Sequence, residues 1–282
     1  LPANTPVYVH HQTRDRAWLL VQSPLAWGWL KAGMAARMTE AQIHEWTQAG
    51  LLAITGQETN VYSPKGRHVF QASLGAVLPL AGRQNGGWLA LCALADHQGR
   101  AVLITGQMDG KNAAPFPLTL TSQNLAESAE SLMGQAYGWG GLFNDRDCSA
   151  LVRDLFAAFG LWLPRNSTDQ AQQGGSFIDL AGLSPEQKKQ AILREGIPFL
   201  SLIWMQGHIM LYVGDWQGEP LVLHNIWGLR TVSGQGRIGR TVITTLEPGR
   251  ERPDLERPEG LLINRVAGMT LLAPPESLIK TR

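Results

Sequence analysis

At 282 residues the chain is long enough for about two domains. Its 44% hydrophobic and 17% charged residues suit ordinary folded cores and exclude a disordered chain. A net charge of +1 gives no electrostatic case for a nucleic-acid partner, and no apolar run approaches the roughly 20 residues of a membrane span. With 31 glycines and 10 tryptophans, the composition suits short strands and turns better than a helical bundle. Two cysteines cannot make a disulfide framework, and no Cys/His cluster has zinc-ligand spacing. The chain begins at Leu1 without a signal peptide, which reads as a mature or trimmed product.

The first 118 residues read as all-β. Pro6-Val7-Tyr8-Val9 and Ala17-Trp18-Leu19-Leu20-Val21 are short strand patterns separated by turn residues. Gly28-Trp29-Leu30 recurs as Gly87-Trp88-Leu89, which suggests two successive small barrels, 1–56 and 57–118. Residues 39–52 have helical character, with Thr39 as the cap. Cys92 lies in the apolar run Trp88-Leu89-Ala90-Leu91-Cys92-Ala93-Leu94 and reads as a core thiol. Asn112-Ala113-Ala114-Pro115-Phe116-Pro117 is the linker candidate.

From residue 119 the pattern changes. Thr121-Ser122-Gln123-Asn124 opens a helix with Leu125, Ala129, Leu132 and Ala136 on one face. A Gly-rich turn, Tyr137-Gly138-Trp139-Gly140-Gly141, precedes Asp147-Cys148-Ser149-Ala150-Leu151-Val152. Leu151, Val152, Leu155, Phe156 and Phe159 then form one helical stripe that Gly160 ends. Beyond Ile197 strands return: Ile209-Met210-Leu211-Tyr212-Val213, a turn at Gln217-Gly218-Glu219-Pro220, and Leu221-Val222-Leu223-His224. Residues 247–260 read as an exposed loop before a strand at Leu261-Leu262-Ile263. Helices followed by antiparallel strands make this half α+β.

Cys148 is placed to be a nucleophile. At a helix start the free N–H groups and the helix dipole favour the thiolate. Such a thiol needs a base, and the base an orienting partner. Five of the seven histidines, His10, His11, His44, His68 and His97, fall at surface or turn positions of the β-rich half. Only His208 and His224 follow Cys148, on neighbouring strand patterns that could set the two rings side by side.

Four blocks in order carry a family resemblance: the Tyr137 turn, the Cys148 helix start, Leu163-Pro164-Arg165-Asn166-Ser167-Thr168-Asp169-Gln170, and Gly207-His208-Ile209-Met210-Leu211-Tyr212-Val213-Gly214. Together they resemble the NlpC/P60 family of cell-wall cysteine peptidases, a papain-like α+β fold, over residues 119–282. The preceding half resembles the paired SH3-like domains of γ-D-glutamyl-L-diamino acid endopeptidases, its first unit short at the N-terminus. The resemblance implies Cys148 as nucleophile, His208 as general base and His224 as the third, polar member. It implies Tyr137, Asp147, Ser149 and Ser167 as substrate-pocket residues, with Asp147 and Tyr137 taking the free amine of an N-terminal L-Ala. Asp147 alone also reads as a helix cap, and Arg165 as a surface or salt-bridging residue.

The implied activity is hydrolysis of the bond between D-Glu(γ) and meso-diaminopimelate or L-Lys in peptidoglycan stem peptides or muropeptides, with no metal or organic cofactor. It falls in acid, where the lower limb of the rate profile reports the Cys148–His208 pair. The SH3-like units either target the cell wall or gate the cleft, with Glu40, Glu45 and Glu58 as carboxylates that could reach the amine. The implied place is the periplasm or cell envelope, with cytoplasmic muropeptide recycling as the alternative. Two rival functions are an amidase or acyltransferase on another amide or ester, and a non-catalytic wall-binding protein. The chain departs from the family pattern twice: Ala150 stands where Gly is common, and residues 197–204 lack the usual Gly-Asp turn before the histidine strand.

Overall fold

The computed structural model describes residues 1–272. The chain divides into two compact units, one of Leu1–Thr119 with Phe156–Leu161, the other of Leu120–Leu155 with the chain from Trp162 on.

In the first unit, β1 (Tyr8–Gln12), β2 (Trp18–Gln22) and β3 (Trp27–Lys31) form an antiparallel three-stranded sheet. The alternation of β2 decides its faces: Leu19 and Val21 are buried, while Trp18 and Gln22 are exposed. Helix α1 (Glu40–Gln48) follows, and Thr39 does cap it, in a reciprocal capping box with Gln42. The second sheet holds β4 (Leu51–Ile54), β5 (Thr59–Tyr62), β6 (His68–Ala72), β7 (Val77–Gln84), β8 (Gly87–Ala95), β9 (Ala101–Met108) and β10 (Ala113–Pro115). Its strand order is β10-β4-β7-β8-β9-β5-β6. Leu52, Ile54, Val61, Leu78, Ala90 and Cys92 make its core.

Two sequence expectations need correcting here. The stretch read as a linker contains β10, which pairs with β4 through Ala113↔Ile54 and Pro115↔Leu52. It lies at the edge of the sheet, where a proline's missing N–H breaks no ladder. In addition β4 precedes residue 57, the expected start of the second barrel, yet pairs with β7 and β10 in this sheet.

The second unit opens with α2 (Ser122–Glu130), capped by Thr121. The helix stops before Leu132, which is buried in the turn after it, and Ala136 instead bridges to Arg240. Then come α3 (Cys148–Ala157), α4 (Ser167–Gln173), β11 (Ser176–Asp179), α5 (Pro185–Glu195), β12 (Ser201–Met205), β13 (His208–Trp216), β14 (Glu219–Thr231) and β15 (Gly234–Thr245). The chain closes with α6 (Leu262–Arg265) and β16 (Val266–Leu271). The strands form one antiparallel sheet, β11-β16-β12-β13-β14-β15. Leu261-Leu262-Ile263, expected as a strand, leads into α6, and the strand follows it. Three apolar residues fit a buried helical turn as well as a strand, and both Leu262 and Ile263 are in the core.

The turn into β13 is tight. Met205 and His208 pair directly across it, and Gly207 supplies its left-handed residue at φ +79°. This hairpin fixes where His208 emerges.

Candidate active site

Helix α3 begins at Cys148, with the stripe Leu151, Val152, Leu155 and Phe156 buried. Asp147 does cap it: its Oδ1 accepts the Ala150 N–H at 2.9 Å. Two side chains that sequence reasoning did not single out hold this corner. Asn225 on β14 donates to the carbonyls of Ala136 (3.2 Å) and Arg146 (2.8 Å), tying both ends of the loop before Cys148. Gln170 on α4 donates to the carbonyls of Ser149 and Pro164, each at 2.8 Å.

The Cys148 thiol is buried against the start of β13, where the backbone N–H of Ile209 hydrogen-bonds it. His208, the preceding residue, is also buried. Its Nε2 lies 2.9 Å from Nδ1 of His224, and Nε2 of His224 lies 3.1 Å from Oγ1 of Thr244. Thr244 Oγ1 in turn donates its single proton to the Thr245 carbonyl at 2.7 Å.

The direction of that last bond fixes the others. With its proton committed, Thr244 Oγ1 accepts from His224 Nε2–H. His224 Nδ1 is then bare and accepts from His208 Nε2–H. The neutral His208 ring is left with its lone pair on Nδ1, the atom a base would use. Thr244 reaches His224 because β15 pairs beside β14: Val242 faces His224 and Thr244 faces Val222.

Burial dominates the protonation of the pair. It pushes the Cys148 thiol up to about 11, and the Asp147 charge adds to the rise. The N–H groups of Ile209, Ser149 and Cys148 pull the other way and lose. Burial pushes His208 down to about 4, helped by the Arg265 charge. Burial also holds His224 well below the ordinary imidazole value, with His208 as the second cause. The backbone N–H groups at the helix start thus favour the thiolate as expected, while burial and the Asp147 charge oppose it. All three shifts favour the neutral forms, a thiol and two imidazoles.

Asp147 and Arg165 form a two-pronged ion pair, with Nη1 to Oδ1 at 3.0 Å and Nη2 to Oδ2 at 2.7 Å. Ser149 Oγ joins it, donating to Asp147 Oδ1 at 3.1 Å and accepting from Arg165 Nη1 at 3.0 Å. Burial alone would raise Asp147, but the Arg165 hydrogen bonds and charge and the Ala150 N–H hold it below its usual value. Arg165 belongs to this corner as the salt-bridging residue it was read to be. Tyr137 is half-buried, and burial together with the charges of Cys148 and Asp147 keeps its hydroxyl protonated. Its ring packs edge-on against Trp139 (4.9 Å) and Trp227 (5.9 Å). Ser167 is the half-buried first residue of α4, next to the cap Asn166. His10, His11, His44, His68 and His97 are exposed and lie in the first unit. Among the described residues, no group of three or more His, Cys, Asp or Glu side chains is arranged to hold a metal ion.

Comparison with known families places this corner. The NlpC/P60 family model matches residues 134–233, a span that includes every residue from Tyr137 to His224 named above. Models of SH3 domains match residues 1–31 (SH3b1 type) and 40–84 (SH3b2 type). The chain carries an NlpC/P60 domain preceded by two SH3b-type domains. NlpC/P60 is a family of cysteine peptidases that hydrolyse peptidoglycan.

Over 148 residues the chain is 26% identical to a γ-D-glutamyl-L-lysine dipeptidyl-peptidase of Bacillus subtilis, a match covering 49% of this chain and 46% of the relative. Over 68 residues, 24% of this chain, it is 35% identical to a probable endopeptidase of Corynebacterium glutamicum, covering 32% of that protein. The chain thus spans less than half the length of these curated relatives. Among solved structures, an NlpC/P60 endopeptidase of Photobacterium damselae subsp. piscicida matches with a TM-score of 0.80 at 26% identity. That match covers 96% of this chain and 64% of the other. An NlpC/P60 family protein of Bacillus cereus shares the fold, with a TM-score of 0.66 at 16% identity over 96% of this chain and 80% of the other. Thr244 and Arg265 lie beyond the matched segment of the NlpC/P60 domain.

Proposed function

We propose that the NlpC/P60 domain hydrolyses the bond between the γ-carbonyl of D-Glu and the diamino acid of a peptidoglycan stem peptide, with Cys148, His208 and His224 as its catalytic residues. The observation that carries this reading is the one-way hydrogen-bond chain from Thr244 through His224 to His208, the residue before Ile209, whose backbone N–H bonds the Cys148 thiol at the helix start. The name of the Bacillus subtilis relative, a γ-D-glutamyl-L-lysine dipeptidyl-peptidase, supports the choice of bond.

The chemistry starts from neutral partners. As Sγ of Cys148 attacks the γ-carbonyl, Nδ1 of His208 takes the thiol proton, so charge separates only along the reaction path. The imidazolium keeps its Nε2–H on His224, whose acceptor nitrogen is already aimed at it. The N–H of Cys148 donates to the developing oxyanion. His208 then passes the proton to the leaving amine, the C–N bond breaks, and a thioester remains. Water, giving its proton to His208, attacks the thioester, and the acid and the free thiol are released. Tyr137, Asp147, Ser149 and Ser167 line the acyl side. Arg165 already occupies Asp147, so the pair offers both signs of charge to the zwitterionic L-Ala-D-Glu end, the amine toward Asp147 and Tyr137. We also place the division between the SH3b-type domains between Lys31 and Glu40, which keeps β4 with its sheet. Their presence supports a cell-envelope location.

The test is mass spectrometry of L-Ala-γ-D-Glu-meso-diaminopimelate after incubation, beside the same peptide with its L-Ala amine acetylated. Release of L-Ala-D-Glu from the free-amine peptide alone is the expected result. Cleavage of both peptides keeps the peptidase and discards the amine requirement. Cleavage of neither removes the assignment of this bond and leaves another amide, or wall binding, as the function.

A further inference from the structure

Arg265 ends α6 one residue ahead of β16. Val266 pairs with Met205, and Met205 pairs with His208, so Arg265 joins the sheet at the row of residues that ends in His208. Two strand spacings make that row about 10 Å wide, within reach of an arginine side chain. Arg265 is half-buried. Among the described residues its guanidinium has no ion pair or hydrogen bond, whereas Arg146, Arg153 and Arg165 each hold a carboxylate. The charge that acts on it is a second cation, Arg230: burial first, then the Arg230 charge, pushes Arg265 below the ordinary guanidinium value. The Arg265 charge is in turn felt at His208.

A partly desolvated cation acted on by another cation, with no anion on it among the described residues, is unfavourable unless an anion arrives. A guanidinium takes a carboxylate in preference to other anions of a peptide, through two parallel hydrogen bonds. The place of this cation says which part of a substrate meets it. In the proposed reaction the acyl group goes to Cys148 and the leaving amine takes its proton at His208. What lies beside His208 is therefore the diamino acid.

We propose that Arg265 is a specificity-determining residue that binds a carboxylate of the leaving diamino acid. The inference rests on the peptidase reading above. Two carboxylates have this chemistry. Every free tripeptide carries one at the α-carbon of its third residue. Only meso-diaminopimelate carries another at its far end, where L-Lys has none.

The experiment compares kcat/KM of the whole chain and of Arg265→Gln on three peptides. They are L-Ala-γ-D-Glu-meso-diaminopimelate, its L-Lys counterpart, and the meso-diaminopimelate peptide amidated at the α-carboxyl. One charged hydrogen-bond pair corresponds to about tenfold or more in kcat/KM. The unsubstituted protein is expected to lose that factor on one of the two altered peptides, and Arg265→Gln to be indifferent to the same change. Sensitivity to L-Lys assigns the far carboxylate, and sensitivity to the amide assigns the α-carboxylate. Arg265→Lys, which keeps the charge without the fork, should retain part of the discrimination and serves if the Gln variant does not fold. If the unsubstituted protein treats all three alike, or if Arg265→Gln slows all three by one factor, the inference fails and the peptidase stands. If the folded, unsubstituted protein cleaves none of them, the peptidase reading fails, and this inference with it.

Discussion

The two cysteines share one protonation bias and differ in everything around it. Cys92 on β8 is fully buried in the core of the seven-stranded sheet, and burial pushes its thiol up to about 11. Cys148 is driven to about the same value for the same first reason. If Cys148 is the nucleophile proposed above, a raised thiol pKa does not mark an inert cysteine. Around Cys92 pack Val61 and Gly106, and a Cβ placed on Gly106 would lie 2.7 Å from its sulfur. Around Cys148 are the N–H groups of a helix start, the N–H of Ile209, and a histidine whose bare nitrogen is set by a chain of hydrogen bonds. In the proposed reaction, what separates the two thiols is a prepared proton acceptor.

The largest test of that contrast is substitution. Cys148→Ala should lower kcat/KM on the stem peptide by at least about four orders of magnitude, while Cys92→Ala should leave it within about threefold. Comparable losses in both would show that the assay reads folding. Alkylation comes next. A shift from 9.0 to about 11 leaves about a hundredfold less thiolate at neutral pH. Iodoacetamide at pH 7 should therefore label both cysteines of the substrate-free protein far more slowly than after unfolding in urea. Fast labelling of Cys148 that persists down to pH 5 would mean a resting thiolate–imidazolium pair and would overturn the neutral start. Under the neutral start, kcat/KM should hold from neutral pH downward and fall only near pH 4, where His208 takes a proton and ceases to be a base.

A smaller effect is expected at Thr244. Thr244→Val keeps the shape and removes the acceptor of His224 Nε2–H, so His224 is free to turn its proton toward His208. We expect kcat to fall about tenfold with KM little changed, Thr244→Ser to recover most of it, and nitrogen NMR to show His224 in mixed tautomers. An unchanged histidine spectrum would make Thr244 a bystander. The smallest effect is structural: Cys92→Ser buries a hydroxyl in an apolar core and should lower the stability of the first unit by about 1–3 kcal/mol, read from urea unfolding, with activity at 25 °C retained.

The corner around Cys148 was legible in the sequence because its determinants are local. Asp147 caps the helix, the apolar stripe of α3 follows, and the Gly207–Gly214 block and the Leu221–His224 strand pattern carry the two histidines. Asn225, Thr244 and Arg265 were not legible, because each acts across strand pairings that no local pattern reveals. The protonation of Cys148 was legible only in part for a related reason: the dipole is a local property, whereas the burial that opposes it is tertiary. In the β-rich half, capping of α1 by Thr39 could be read from its spacing to Gln42. The strand β10 could not, since three residues ending in proline resemble a connection until β4 is beside them. The repeated Gly-Trp-Leu marks a strand in each copy, but Trp29 is 52% exposed and Trp88 only 8%, so the repeat preserves strand and not surroundings.

The Asn225 side chain has a consequence for how this molecule comes to exist. It closes the loop ahead of Cys148 by bonding to Arg146, 79 positions earlier, and His224, which holds the ring proposed to take the thiol proton, stands beside it on the same strand. A ribosome delivers Cys148 long before it delivers β14 and β15. Until then the nascent chain has a cysteine on a helix, without its brace or the two side chains that orient its proposed proton acceptor. The thiol is thus unarmed during synthesis, and the last strands of the sheet act as the safety catch whose release completes the machine.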